Sequence, residues 1–206
     1  MSRRILLVVL WSLVAAALLV VVGLWMWKST PATPPRGGTG QSVEIANFGA
    51  PFSLVDHNGD AITQAAIAGR PSLVFFGFTH CPEVCPTTLF DVNRWMDAAD
   101  PDQDELQAFF VTVDPERDTP ELMASYVTAF SERITGITGP VDDVLAMADA
   151  WKVFYEKQPY SDDPADGYNM NHTASVFLID AQGSFRGTIS YGAPDQLAVE
   201  KLQVLM

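Results

Sequence analysis

Hydrophobic positions along the chain fall into three regimes. Residues 5–27, "ILLVVLWSLVAAALLVVVGLWMW", run 23 positions without a charge, and about 20 apolar helical residues suffice to cross the hydrocarbon core of a bilayer. Residues 28–41, "KSTPATPPRGGTGQ", are rich in Pro, Gly, Ser and Thr and have almost nothing to bury, which is the composition of a tether. Beyond them, short apolar runs alternate with helical patterns. "SLVFFGFT" (72–79), "QAFFVTVD" (107–114) and "ASVFLID" (174–180) are continuous apolar stretches with β-branched and aromatic content, and they predict strands buried on both faces. Helices are predicted over 86–98, 119–130, 141–153 and 194–205. In two of these, "DTPEL" and "GPVDD" offer a capping side chain or a proline that suits the first turn. "FSLVDHNGDAIT" (52–63) and "LIDAQGSFRGTISYG" (178–192) place Asn-Gly and Ala-Gln-Gly between extended runs and predict hairpins. "EKQPYSDDPADGYNMNHT" (156–173) follows neither period and is long for a connection, which marks it as functional or mobile.

A hairpin, then β-α-β, then a crossover to an antiparallel pair and a last helix is the order of an α/β, thioredoxin-like domain. Its mixed sheet would be flanked by helices, behind one N-terminal transmembrane helix. The expected organisation is a transmembrane anchor with a short cytoplasmic N-terminus (1–28), a flexible linker (29–47) and the thioredoxin-like domain (48–206). A length of 206 residues suits one such domain with its anchor. Arg3 and Arg4 precede the span with no acid nearby, so the positive-inside rule keeps the N-terminus cytoplasmic and sends the body across. A cleaved signal peptide would have a shorter apolar region ending in small residues. Here the alanines at 15–17 lie mid-span, and Trp25 and Trp27 sit at the end as interfacial anchors would. No cysteine follows the span, so a lipid anchor has no support.

Charge sharpens the picture. Lys and Arg number 12 against 25 Asp and Glu, and every acid lies beyond residue 41, so the chain from there on carries a net −17. A body this acidic is repelled by phosphate backbones, which argues against nucleic acid and leaves a basic protein or a cation as easier partners. Most of those carboxylates serve as a solubilising surface.

The only two cysteines, Cys81 and Cys85, lie in "FFGFTHCPEVCPTTL" (75–89). Cys81 closes a predicted strand, and Cys85 precedes a helix that Pro86 can begin. Both sulfurs are thus expected at a helix N-terminus, where the partial positive charge favours thiolate. A structural disulfide would close a loop too short to constrain much of the unfolded chain. A thiol–disulfide couple fits the position, but the usual redox spacing is Cys-x-x-Cys. A soft-metal site needs a third ligand. His57, in "VDHNGD", reads as a solvent-exposed turn residue. His80 neighbours Cys81 on an extended segment and points the other way. His172, just before "ASVFLID", lies at the end of the sheet where loops approach the cysteine turn, and it is the candidate. Two thiolates and an imidazole suit copper, though Cys2His with a water also satisfies zinc. Asp114 and Asp118, in "VTVDPERDTPE" (111–121), follow a buried strand and could orient a ligand or meet a basic partner; a helix cap explains Asp118 almost as well.

"GFTHCPEVCPTTL", "VTVDPERDTP" and "NHTASVFLID", in this order behind a single anchor, resemble the Sco/SenC family of copper-binding proteins that assist cytochrome c oxidase assembly. The resemblance covers about 48–202, with Glu83 standing where Asp is the more frequent residue. It implies copper held by Cys81, Cys85 and His172 and delivered, or reducing equivalents delivered, to the dinuclear CuA site of oxidase subunit II. Other copper carriers or thiol reductants would be further partners. By this reading the chain is a carrier rather than an enzyme, with thiol–disulfide reductase or redox sensing as the alternative. Its implied location is the inner membrane of a bacterium, facing the periplasm, ahead of a mitochondrial inner membrane.

Overall fold

The computed structural model describes residues 49–206 apart from 164 and 166. The expected anchor and linker (1–47) lie outside the described residues. Among those described, no helix is long and apolar enough to cross a membrane.

The chain begins with β1 (Ser53–Asp56) and β2 (Ala61–Thr63), which pair antiparallel around the predicted Asn-Gly turn. Asp56 closes that turn by accepting the amides of Asn58 and Asp60 at 2.8 and 3.0 Å, and Gly59 takes the positive φ of 87° that the turn requires. A short helix α1 (Gln64–Ile67), not foreseen from the pattern, leads into β3 (Ser72–Gly77), α2 (Val84–Ala99), β4 (Gln107–Thr112), α3 (Pro120–Val127), β5 (Ile134–Thr138) and α4 (Val141–Ala150). Then come β6 (Tyr155–Pro159), β7 (Tyr168–His172), β8 (Ser175–Ile179), β9 (Phe185–Ser190) and α5 (Asp195–Leu205). Seven strands form one sheet in the order β2-β1-β5-β4-β3-β8-β9. β3, β4 and β5 run parallel, and the β1–β5, β3–β8 and β8–β9 pairs are antiparallel. The mixed sheet with helices is the predicted architecture.

The central strands hold the core. Every residue of β3 is buried, as are the last five of β4, because helices cover both faces of the sheet. α2 and α5 pack together, and Asp195 in the first turn of α5 joins them: it accepts from Trp95 Nε1 at 2.9 Å and from both terminal nitrogens of Arg94 at 2.6 Å.

Four expectations need correction. The segment 156–173 is a β-ribbon: β6 and β7 pair from Tyr155–His172 to Pro159–Tyr168 and form a second, two-stranded sheet. Its pattern was opaque because both faces of "YEKQP" are largely solvated, so no apolar alternation marks it. α2 starts at Val84, two residues earlier than predicted, with Pro86 third in the helix; that position also tolerates a missing N–H, since the first four amides lack intrahelical acceptors. α4 stops at Ala150 because Lys152 adopts a left-handed backbone (φ 58°). Finally, Thr119 and not Asp118 caps α3, its hydroxyl accepting the Leu122 amide at 3.3 Å.

Candidate metal centre

Cys81 lies in the turn after β3, and Cys85 in the first turn of α2. The helix has no side-chain cap at Glu83; instead the Cys85 amide, one of the unpaired first-turn N–H groups, donates to Cys81 Sγ at 3.2 Å. The sulfur therefore does the work of a capping acceptor. Gly77, the last residue of β3, makes the approach possible: a Cβ there would lie 2.8 Å from Cys85 Sγ and 2.6 Å from the Phe110 ring. Glycine inside an apolar strand is the sequence signal of such a close approach.

His172 ends β7 and crosses to the sulfurs, its Nε2 lying 3.4 Å from Cys85 Sγ. Its Nδ1 lies 3.0 Å from the Thr173 carbonyl, an oxygen that can only accept, so Nδ1 donates there and Nε2 is the ring atom turned to the sulfurs. Phe75 and Phe78 meet the imidazole edge-on at 6.0 and 5.8 Å and fix its plane. The donor atoms of Cys81, Cys85 and His172 all lie within 4.8 Å of one another. All three residues singled out in the sequence are thus brought together, across 87 positions from Cys85 to His172.

The two thiols are electrostatically unequal. Cys81, partly exposed, is lowered to about 4, chiefly by its hydrogen bond with the Cys85 side chain, against its own desolvation and with help from His172 and the Cys85 amide. Cys85 is wholly buried, and that burial first, then the neighbouring Cys81, pushes it far above the ordinary thiol range. Cys85 therefore holds its proton more tightly than Cys81 does. An open cavity of about 320 Å³ lies over Cys81 and His172, walled in part by Pro82, Glu83, Phe154 and Asn171. A larger one of about 540 Å³, between β9 and α5, contains none of the three residues.

The remaining sequence candidates sit elsewhere. His80 is half exposed, 3.1 Å from Thr79 Oγ1, and does not join the cluster. His57 is not a free turn residue: it is partly buried and its Nδ1 accepts the Gly136 amide at 2.9 Å. Asp118 is buried and ties three segments, accepting from Thr79 N at 3.1 Å, Thr79 Oγ1 at 2.5 Å and Thr112 Oγ1 at 2.6 Å; its burial raises the carboxyl despite those donors. Asp114, also buried, pairs with Arg117 and accepts the Tyr168 hydroxyl at 2.6 Å. Arg117, Tyr168 and Gly77 were not singled out from the sequence. Tyr126 was missed as well. Its ring lies tilted against Phe110 with centroids 5.5 Å apart, and its buried hydroxyl has no hydrogen-bond partner among the described residues.

One thiolate, a second sulfur and an imidazole nitrogen form a soft donor set that suits a low-coordinate transition metal ion. A thioredoxin-like sheet with such a trio at the mouth of its first long helix defines a class of metal-handling thiol proteins. Comparison with known proteins narrows this. The SCO1/SenC family matches residues 40–206, and the chain belongs to that family. It is 30% identical to Protein SCO2, mitochondrial, of Saccharomyces cerevisiae over 94% of this chain and 65% of that one, so it spans just under two thirds of that relative's length. Bradyrhizobium japonicum ScoI, solved with copper bound, superposes with a TM-score of 0.70 at 36% identity over 77% of this chain and 99% of that one. A solved protein described as a member of the Sco family of cytochrome c oxidase assembly proteins shares the fold at 16% identity, with a TM-score of 0.59 over 76% of this chain and 92% of its own.

Proposed function

We propose that the chain is a copper carrier of the cytoplasmic membrane, that Cys81, Cys85 and His172 hold the ion, and that the carrier serves assembly of the CuA centre in cytochrome c oxidase subunit II. The observation that carries this reading is the convergence of three donor atoms within 4.8 Å, in a family with a copper-bound member. Residues 1–28 would anchor the chain, 29–47 would give it reach, and 48–206 would work on the far side of the membrane; the uncharged run and the two leading arginines support that placement.

Copper is cargo here, so release matters as much as capture. Cys81 offers a thiolate without further proton loss, and Cys85 surrenders its proton as the ion arrives. The acceptor's soft ligands then replace the three donors one at a time, so the ion is never free. A disulfide between Cys81 and Cys85 would remove both sulfurs, so loading requires the reduced pair. The test is titration of the reduced protein with copper. One equivalent should bind, with Cys81→Ser and Cys85→Ser losing the sulfur charge-transfer absorption and His172→Ala binding about tenfold or more weakly with the fold intact. Unchanged affinity in His172→Ala would count against the assignment.

The inequality of the thiols supports a second reading, a thiol–disulfide reductase acting on the acceptor's cysteines, because an accessible thiolate backed by a buried thiol is the arrangement that disulfide exchange uses. Such an enzyme would turn over disulfides without metal and without His172.

A further inference from the structure

The third donor stands on the least anchored part of the described fold. β6 and β7 pair only with each other, and of their residues Met170 alone is fully buried. Cavities flank it on two sides: the one of about 320 Å³ over Cys81 and another of about 220 Å³ lined by Asp114, Val141, Leu145 and Tyr155, with Met170 lining both. Apolar packing therefore holds the ribbon weakly. Polar contacts supply the rest: on β6, Lys157 reaches Glu116 at 2.6 Å and the Tyr155 hydroxyl reaches Asp149 at 3.2 Å, and on β7 a cluster forms around Tyr168. Tyr168, Met170 and His172 alternate along β7 and so share one face. Tyr168 donates its hydroxyl to Asp114 Oδ1 at 2.6 Å, Arg117 pairs with Asp114 through Nε, and Arg117 Nη1 donates to the Tyr168 carbonyl at 3.1 Å. The same guanidinium stacks 3.9 Å from the centre of the Tyr168 ring and lies 5.9 Å from Phe78, whose ring meets the imidazole. One arginine from the loop after β4 thus touches both the strand that carries His172 and the ring that orients it.

We propose that Asp114, Arg117 and Tyr168 are positioning residues, a latch that holds the His172 strand over the two sulfurs, and that opening this latch is the step in which the imidazole leaves bound copper. The inference rests on the assignment of Cys81, Cys85 and His172 as the ligands. With the latch closed, Nε2 is preorganised; with it open, the ion remains on two sulfurs, a coordination that Cu(I) accepts, and one position becomes free for an incoming ligand. None of the three latch residues is among the three donors, so on this reading its effect must pass through His172.

That requirement fixes the experiment. Full-length protein in detergent, loaded with Cu(I), is challenged with the chelator bicinchoninate, and copper loss is followed in the unaltered chain, Tyr168→Phe, Arg117→Gln, His172→Ala and the two double variants. Each latch variant should lose copper about fivefold faster, the scale of one lost hydrogen bond. In the His172→Ala background neither should accelerate loss further. In metal-free protein, amide exchange at Phe154 and Thr173, which bond across the ribbon, should quicken by a similar factor while Phe75 and Val111 in the central strands stay unchanged. Acceleration that persists without His172, or ribbon exchange that does not move, overturns the latch. A copper-loss rate unaffected by His172→Ala overturns instead the ligand assignment, and the release step with it, and metal-free exchange still judges the latch by itself.

Discussion

Cys81 and Cys85 divide the chemistry between a partly exposed residue that lines an open cavity and a wholly buried one. With Cys81 lowered to about 4, chiefly through the Cys85 side chain, its thiolate is already formed throughout the neutral range. Its alkylation by iodoacetamide should therefore be nearly flat between about pH 6 and 8 and fall about tenfold per unit only below about pH 4, where the group takes up its proton. An ordinary thiol would instead gain about tenfold per unit as pH rises from 6 to 8. Mass mapping after brief exposure checks this, and Cys85, buried and held as the thiol, should stay unlabelled until the protein unfolds. A steep rise in Cys81 labelling through neutrality would show that Cys85 does not stabilise its charge. The spacing announced that the two sulfurs meet. Which one carries the charge was hidden, because that depends on how deeply the surrounding fold buries each.

At the scale of elements, the site is a meeting of β3, α2 and β7. β3 and α2 were legible: an unbroken apolar run and a helical pattern remain recognisable wherever the rest of the chain goes. Their contact is set by Gly77, against which Cys85 and Phe110 pack. Gly77→Ala should force the first turn of α2 away from the strand and cost about 1–3 kcal/mol by overpacking, with copper affinity reduced at the same time. Chemical denaturation and a copper titration would read the two effects, and a variant as stable as the parent would mean that the sulfur has room to retreat. β7 was not legible. "YNMNH" becomes a strand because β6 pairs with it and because Tyr168 finds Asp114 and Arg117 in the loop after β4. Those partners lie 51 and 54 positions away, beyond the reach of any local pattern.

At the scale of the whole molecule, bound copper would cross-link two parts that otherwise hold each other lightly, the α2 turn and the ribbon. An ion bound only by the folded state stabilises it by about 2.7 kcal/mol at a free concentration a hundred times the dissociation constant, or about 5–10 °C in Tm for a domain of this size. Calorimetry of loaded and metal-free protein should show that rise, and it should shrink in His172→Ala; an equal rise in Cys81→Ser would place the ion elsewhere. The sequence by itself determined the elements whose apolar content exceeds what a loop can hide, the acidic balance of the body, the uncharged run at 5–27 and the three residues able to serve as soft ligands. It could do so because burial and periodicity are local properties of the chain. Only the tertiary structure decided that an imidazole and two sulfurs face one another, that one sulfur is buried deeper than the other, and that Arg117 and Asp114 contact Tyr168 of the strand that carries the imidazole. These depend on distances between segments far apart in sequence, and such distances exist only once the sheet has closed.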